Sequence, residues 1–275
     1  MQIYKGIPVV SACPSPEDEA LVPHRLYQVM DPSETCSAGL WEKKCIAEIQ
    51  AAWENGKLPI VTGGTGLYIR TLVEGISQLP DIDPEIRDAI RKRADEVDVS
   101  VLYDELMQKD PEMAERLKPR DMQRICRALE VLESTGKSLA VLQREIKPEP
   151  VLPAHYDVHI MMPEREILYQ RCDLRFEKMI EAGAIEEIEA LNALKLDSQL
   201  PAMKALGVPE LLSYVRGEIS LDEAKNLAQM QTRRFAKRQC TWFRNQIKHK
   251  EIHSAQYSES LRDKIYNKIR QFLLT

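Results

Sequence analysis

Apolar and polar positions follow two different periods along the chain, and these periods predict the order of its elements. Residues 38–55 have helical spacing up to Gly56, and the apolar run 58–62 predicts a short strand. A glycine-rich turn follows at 63–66, and a second helix is expected from about Thr65 to about Val73. A strand, a glycine turn and a helix in this order are typical of an α/β unit whose turn holds an anion.

The middle of the chain has a purely helical pattern. From Pro84 to about Ile146 apolar residues recur at helical spacing, and proline-rich segments flank this region. A second strand is then predicted from Tyr156 to Met162, followed by a helix that has Pro163 at its first position and runs to about Gly183. A long basic helix is expected after the capping box Ser220–Glu223.

These patterns divide the chain into a core that is interrupted by a helical insertion. The predicted divisions are a first α/β core segment over 1–77, a helical insertion domain over 78–150, a second core segment with basic helices over 151–250, and a C-terminal helix over 251–275.

Composition excludes several classes of protein. The 44% hydrophobic and 29% charged residues are ordinary for a globular domain, and no apolar run has the length of a membrane span. The N-terminus lacks the pattern of a signal peptide, so we predict a cytoplasmic protein. The six cysteines form no CxxC pair, which favours buried free thiols over a zinc site or disulfides. His249 and His253 are predicted to lie on a solvated basic face.

Charge is distributed unevenly although the net charge is −5. Residues 231–250 contain seven Lys or Arg and no Asp or Glu. An acidic protein with one strongly basic segment is a candidate for binding a polyanion at that segment.

The glycine turn is the first candidate site. It consists of Gly63, Gly64, Thr65 and Gly66, whose backbone can approach an anion and whose hydroxyl can donate to it. A tight turn with a threonine N-cap is the alternative.

A phosphate-loop motif is only approximated in the sequence. The nearest match, VLESTGKS at 131–138, lacks the first glycine and ends a helix, so Gly136 is predicted to terminate that helix.

A second candidate is the polar side of the helix that begins near Asp121. Gln123, Arg124 and Arg127 are predicted to form one patch suited to base and phosphate contacts, whereas a plain solvated face is the alternative. The opposite, apolar stripe consists of Met122, Ile125, Cys126, Leu129 and Leu132.

The third candidate joins two basic helix faces. One face suits a diphosphate and the other a nucleic-acid backbone, and a salt-bridged surface is the alternative. The first face holds Arg171, Arg175 and Lys178, and the second holds Arg234, Lys237, Arg238, Thr241 and Arg244.

Several long segments, in this order, resemble the tRNA dimethylallyltransferases (tRNA isopentenyltransferases). The segments are MQIYKG, VPHRLYQVMDPSETCSA, PIVTGGTGLYIR, RDMQRICRALEVLESTGKSL, PAMKALGVPELLSYVRGEISLDEA and TRRFAKRQCTWFR, and the resemblance covers the chain up to about residue 247. It implies a P-loop-like α/β core with a parallel sheet and an all-helical insertion domain, with the tRNA anticodon arm between them. It also implies transfer of dimethylallyl from dimethylallyl diphosphate to the N6 amine of the adenine at position 37 of tRNA, next to the anticodon, assisted by Mg²⁺.

The resemblance also implies roles for individual residues. Thr65 matches the threonine of the reaction centre, which contacts the diphosphate together with Gly63, Gly64 and Gly66. Arg175 matches an arginine associated with the donor diphosphate. No metal ligands are identified, and a monomer that binds no membrane is expected. The implied tRNA contacts are Met1, Gln2, Arg87, Gln123, Arg124, Ile125, Cys126 and Arg127, to which the basic segment adds Arg234, Lys237 and Arg238.

Two departures from the family pattern lower the expected activity. The family's first strand, its GPTASGKT phosphate loop, its second strand and an aspartate expected to act as general base would all precede Met1, so we expect an N-terminally truncated core. Cys13 stands where the family carries a lysine. We therefore expect weak or no catalysis, and a catalytically silent tRNA-binding remnant is the main alternative. A phosphoryl-transfer enzyme is a further alternative, which the missing phosphate loop disfavours.

Overall fold

The computed structural model describes residues 1–77, 79–248, 250–254 and 258–273. It divides into two compact units, one made of Met1–Val73 and Leu152–Thr275 and the other of Glu74–Val151. Gln78, the predicted first residue of the insertion, and His249 lie outside the described residues, as does the predicted C-terminal limit of the last helix.

Helices dominate the described residues, and one small parallel sheet accompanies them. The elements in chain order are α1 (Pro8–Ser11), α2 (Pro16–Leu21), α3 (Ala38–Glu54), α4 (Gly66–Glu74), α5 (Pro84–Glu96), α6 (Val99–Lys109), α7 (Pro111–Glu115), α8 (Met122–Thr135), α9 (Leu139–Glu145), β1 (His159–Met161), α10 (Arg165–Glu181), α11 (Ala184–Ala193), a 3₁₀ turn (Ala202–Lys204), α12 (Val208–Val215), α13 (Leu221–Gln246), β2 (Glu251–His253) and α14 (Glu259–Phe272).

The first unit is organised around α13, a helix of 26 residues. Its predicted N-cap is confirmed, because the Ser220 hydroxyl accepts a hydrogen bond of 3.2 Å from the Glu223 amide. Buried alanines, among them Ala224 and Ala228, let neighbouring helices approach closely, and α10 and α12 pack against α13. The core of this unit contains Tyr4, Ile7, Ile188, Leu191 and Leu211.

The sheet of this unit consists of β1 and β2, which pair in parallel. His159 is opposite Glu251, and Met161 is opposite His253. The predicted strand Tyr156–Met162 is therefore present in a shorter form. The predicted helix 251–275 is corrected, since its first residues form β2 and the helix itself begins only at Glu259.

The strand predicted at 58–62 is wrong. These residues form no strand, and Leu58, Ile60 and Val61 are exposed. A strand is stabilised by hydrogen bonds to a neighbour, and within the described ranges no strand pairs with this segment. The helix that follows begins at Gly66, where the Thr65 carbonyl accepts hydrogen bonds from the amides of Tyr68 and Ile69.

The start of α10 also differs from the prediction. Glu164 is its N-cap residue, so Pro163 precedes the cap and is not the first helical residue. Gly183 follows the end of α10 and serves as the N-cap of α11.

The second unit contains the five helices α5 to α9 and no described strand other than an isolated bridge between Ile76 and Glu149. Its core includes Ile90, Leu102, Leu106 and Leu129. Each of the five helices starts with a side chain that caps a backbone N–H, which satisfies donors that the helix itself leaves unpaired. These caps are Asp83, Asp98, Asp110, Asp121 and Ser138.

The amphipathic helix predicted near Asp121 is present as α8. Ile125, Cys126 and Leu129 are buried, whereas Met122 and Leu132 are half-buried. The helix ends at Gly136 in a left-handed conformation with φ of 67°, as predicted, so the VLESTGKS segment is a helix end.

No helix within the described stretches of the chain is both long enough and apolar enough to cross a membrane. Four of the six cysteines are buried, as predicted, whereas Cys13 and Cys240 are half-buried, and all six are free thiols.

Candidate active site and nucleic-acid interface

The glycine turn packs directly against the C-terminal half of α13. Gln239 on α13 donates a hydrogen bond of 2.8 Å from Nε2 to the Gly64 carbonyl. A Cβ atom at Gly64 would overlap the Gln239 amide, and one at Gly66 would overlap the Trp242 ring. The close approach of α13 therefore favours glycine at both positions, most strongly at Gly66, where the neighbour is a rigid ring.

The turn forms one section of the wall of an open cleft with a volume of about 560 Å³. Gly63, Gly64 and Thr65 line this cleft together with Met1 and Gln2, so the structure brings five of the candidate residues together. Gly66 is not among the lining residues. The Thr65 side chain is exposed at the start of α4, where the first backbone N–H groups of a helix have no partner within it.

Two aromatic residues support the cleft wall behind the turn. Tyr68 and Trp41 stack with their ring centroids 5.1 Å apart, and the Tyr68 hydroxyl donates to the Cys36 carbonyl over 2.7 Å. Burial raises the pKa of Tyr68. The Tyr68 hydroxyl is thus a neutral structural donor that fixes the first turn of α4 against the segment around Cys36.

The charges around the cleft favour an anion over a cation. Among the described lining residues only Glu48 is acidic, and its carboxylate lies 3.6 Å from the Arg25 guanidinium. Lys57 also lines the cleft. The site therefore offers backbone N–H groups, a hydroxyl and basic side chains, which suit a phosphate ligand.

Arg175 lies elsewhere in the same unit. Its side chain is exposed on α10, and it is not among the described residues that line the cleft. Phe176 and Met179 on the same helix are buried. The neighbouring Asp173 forms an ion pair of 2.6 Å with Arg233 on α13, so this arginine of the basic segment 231–250 is paired within the unit.

The basic face of α13 remains unpaired at its centre. Arg234, Lys237 and Arg238 are exposed, and no described carboxylate lies within 4.0 Å of their charged groups. These three residues and Thr241 line a shallow depression of about 520 Å³. Arg238 also lies over the Phe235 ring, with its guanidinium carbon 5.7 Å from the ring centroid. An open, unneutralised basic surface of this kind is suited to a polyanion.

In the helical unit, α8 carries the second candidate patch. Gln123 and Arg124 are exposed, and Arg124 is 3.4 Å from the Asp121 carboxylate. Arg127 is half-buried and lies 3.4 Å from Glu130. Ile125 and Cys126 are buried, so their side chains belong to the core of this unit and present nothing at its surface.

Arg87 is half-buried on α5 of the helical unit. Of the implied contacts in this unit, Gln123, Arg124, Arg127 and Arg87 therefore keep solvent-accessible polar groups. The partial pairing of Arg124 and Arg127 with carboxylates is also what a solvated helix face would show.

Sequence reasoning missed two features of the first unit. The first is the hydrogen bond from Gln239 to Gly64. These residues are 175 positions apart in the sequence, so no local pattern indicates the contact. His253 was expected on a solvated face, but it is 4% exposed and its Nε2 lies 2.9 Å from Nδ1 of His159. That expectation was wrong because β2 buries the ring beside β1. Burial also lowers the pKa of His253.

Comparisons with known proteins give consistent similarities. The family model described as IPP transferase matches residues 2–246. The tRNA dimethylallyltransferase of Nitrobacter hamburgensis is 46% identical over 247 residues, which cover 90% of this chain and 78% of that protein.

Solved structures are similar over most of the fold. The tRNA isopentenylpyrophosphate transferase of Bacillus halodurans has a TM-score of 0.66 at 28% identity, over 99% of this chain and 84% of that one. A eukaryotic dimethylallyltransferase acting on tRNA has a TM-score of 0.70 at 27% identity, over 88% of this chain and 61% of that one. These similarities confirm the predicted fold class and the predicted family resemblance.

Proposed function

The chain belongs to the IPP transferase family of tRNA-prenylating enzymes, and we propose that it transfers a dimethylallyl group from dimethylallyl diphosphate to the N6 amine of the adenine at position 37 of tRNA. The observation that carries this proposal is the placement of Gly63, Gly64 and Thr65 on one wall of a cleft with few acidic groups, beside the start of a helix. Such a wall suits a diphosphate.

The proposed reaction forms one bond and breaks one bond. The lone pair of the adenine N6 attacks C1 of the dimethylallyl group, the C1–O bond breaks, and diphosphate leaves with the electron pair. The N6 atom then releases one proton to solvent. Because negative charge grows on the leaving diphosphate, the backbone N–H groups of the glycine turn and the Thr65 hydroxyl are the groups that stabilise it.

The role of Arg175 rests on the family resemblance. An arginine suits a diphosphate because its planar guanidinium can donate two parallel hydrogen bonds to it. Its exposed place on α10 leaves the side chain free to reach a bound ligand, and no described carboxylate lies within 4.0 Å of its guanidinium. Arg175 is therefore proposed to contact the diphosphate of the donor.

The residues of the cleft do not form a site for Mg²⁺. This ion prefers several oxygen ligands in octahedral geometry, with one or two carboxylates. The described residues of the lining offer one carboxylate, Glu48, which is already beside Arg25. We therefore propose Mg²⁺ only as an ion that accompanies the diphosphate substrate, and no step of the reaction is assigned to it.

The tRNA contacts are proposed on each unit separately. In the first unit, the unpaired cations Arg234, Lys237 and Arg238 suit phosphates of the RNA backbone. In the helical unit, the exposed Gln123 and Arg124 suit the base edges and phosphates of an unpaired loop. The adenine must leave its stack to reach the donor, so Met1 and Gln2 on the cleft wall are proposed to contact it.

The test is transfer of radiolabelled dimethylallyl from its diphosphate to unmodified tRNA by the 275-residue chain, with Mg²⁺ present. We expect weak transfer that requires adenine at position 37 and that falls about 100-fold or more in Thr65→Ala, as for the loss of one group that stabilises the leaving charge. Thr35→Ala is the matched control, because Thr35 is exposed and lies outside the cleft lining.

A different result would favour the second candidate function. Salt-sensitive binding of tRNA without any transfer, by a chain with normal helical content, would indicate a catalytically silent tRNA-binding protein. Transfer that is unaffected by Thr65→Ala would reject the assignment of the cleft.

A further inference from the structure

The register of the two-stranded sheet brings three metal-ligating side chains to one place. His159 is opposite Glu251 in the β1–β2 pair, and His253 follows two positions later on the same strand. Side chains two positions apart lie on the same face of a strand. One donor atom from each of the three residues lies within 4.8 Å of the donor atoms of the other two.

The donors of this group have the chemistry of a transition-metal site. Nδ1 of His159 and Nε2 of His253 face each other at 2.9 Å, and Oε1 of the Glu251 carboxylate lies 3.9 Å from Nδ1 of His253 within the same group. Two imidazoles and one carboxylate suit Zn²⁺, Co²⁺ or Ni²⁺ and are a poor match for Mg²⁺ or Ca²⁺. Two ligand nitrogens bound to one tetrahedral Zn²⁺ are about 3.3 Å apart, so binding requires this N–N distance to grow by a few tenths of an ångström and the two lone pairs to turn towards the ion.

The groups around the three residues already have the arrangement that supports metal ligands. Asp157 lies 3.0 Å from Nε2 of His159, and a ligating histidine usually donates its second N–H to such a carboxylate. On Glu251, Lys268 pairs with Oε2 and Lys264 lies 3.5 Å from Oε1. Coordination through Oε1 would leave the pair with Lys268 intact.

We propose that His159, Glu251 and His253 bind one divalent transition-metal ion of the Zn²⁺ class. The site is separate from the proposed reaction, because none of the three residues lines the cleft and two of them lie beyond residues 2–246 of the family match. The bound ion joins β2 to β1 and, through the pair between Lys268 and Glu251, steadies α14. Its role is to stabilise the C-terminal region of the first unit.

The test uses the full 275-residue chain without a polyhistidine tag, titrated with Co²⁺ in the absence of tRNA. We expect the visible absorption of tetrahedral Co²⁺ at one ion per chain, displacement of Co²⁺ by Zn²⁺, and no displacement by Mg²⁺. Zn²⁺ is also expected to raise the midpoint of thermal unfolding. Neither readout depends on prenyl transfer, so this proposal can fail independently of the proposed function.

Variants identify the ligands. Glu251→Gln is expected to weaken Co²⁺ binding strongly, and Asp157→Asn is expected to weaken it about 10–100-fold, as for other residues that orient a ligating histidine. His155→Gln is the matched control, because His155 is exposed and, like Asp157, precedes β1. His253→Asn is expected to abolish Co²⁺ binding. Because His253 is buried, this variant is informative only when it folds; Glu251→Gln and Asp157→Asn, at less buried positions, test the ligands independently of it.

Three results would overturn the proposal. The first is the absence of stoichiometric Co²⁺ or Zn²⁺ binding, which would mean that the two rings share a proton in a simple hydrogen bond. The second is binding that Glu251→Gln and Asp157→Asn leave unchanged. The third is an intense thiolate-to-cobalt absorption band, which would place the ion on cysteines.

Discussion

Gly66 lies where the Trp242 ring leaves no room for a side chain. Gly66→Ala is expected to lower the free energy of unfolding by about 1–3 kcal/mol, because an added methyl group must displace an indole ring. Gly64→Ala is expected to cost less, since it displaces only the flexible end of Gln239, although it weakens the hydrogen bond to the Gly64 carbonyl. Urea unfolding followed by circular dichroism measures both.

Gly39 supplies the control for this series. It is the second residue of α3, and nothing is within 4 Å of the position of an added Cβ. Gly39→Ala is therefore expected to be stabilising by about 0.5–1 kcal/mol, the usual gain from replacing glycine within a helix. Equal losses in Gly66→Ala and Gly39→Ala would contradict the proposed contact with Trp242.

Glu42 on α3 is buried, and its Oε1 has no hydrogen-bond partner among the described residues. Burial raises the pKa of Glu42 above its ordinary value of 4.5. Since the unfolded chain ionises Glu42 at lower pH than the folded chain, this residue lowers stability as pH rises through 4.5 towards the folded pKa. Glu42→Gln removes this dependence.

We therefore expect the free energy of unfolding of Glu42→Gln to exceed that of the parent at pH 7.5 by an amount on the order of 1 kcal/mol. This gap between variant and parent should narrow towards pH 4. Denaturant unfolding at both pH values measures the gap. Glu54→Gln, on the exposed end of the same helix, is the matched control and is expected to show no such trend. A gap that is the same at both pH values would refute the argument.

At the scale of elements, the unpaired basic face of α13 predicts that tRNA binding weakens as the salt concentration rises. Lys237→Ala is expected to weaken tRNA binding and to reduce the slope of log K against log salt concentration by about 1, because one phosphate contact is lost. Lys225 provides a control on the same helix, about 18 Å earlier at 1.5 Å per residue. Fluorescence anisotropy with labelled tRNA at several salt concentrations measures the slope, and equal slopes for both variants would contradict the assignment.

The elements also show what local sequence determines. The helices α3, α8 and α13 were predicted closely, because apolar periodicity, the Ser220 cap and Gly136 all act within a few residues. The segment 58–62 was mistaken for a strand because strand formation depends on a partner that the segment itself cannot specify. The long-range contacts of the candidate sites have the same origin: Gln239 with Gly64, and His159 with His253.

At the scale of the whole molecule, the chain contains separate hydrophobic cores. The core around Leu129 consists entirely of residues from Glu74–Val151, and the core around Leu211 consists entirely of residues from the other unit. Both leucines are fully buried, so each is a sensitive probe of its own core. Helical periodicity between proline-rich segments indicated the insertion, and the family resemblance agreed, but the membership of each core became visible only from the packing.

This separation predicts two regions of independent stability. Leu129→Ala is expected to cost about 2–5 kcal/mol, and the resulting loss of amide protection should be confined to 74–151, because the cavity weakens only the contacts of that core. Leu211→Ala should lose protection in the first unit instead. Hydrogen exchange with mass spectrometry on the full chain resolves the two regions. If either variant lowered protection equally in both units, the two cores would unfold as one cooperative structure, and the division into independent units would be wrong.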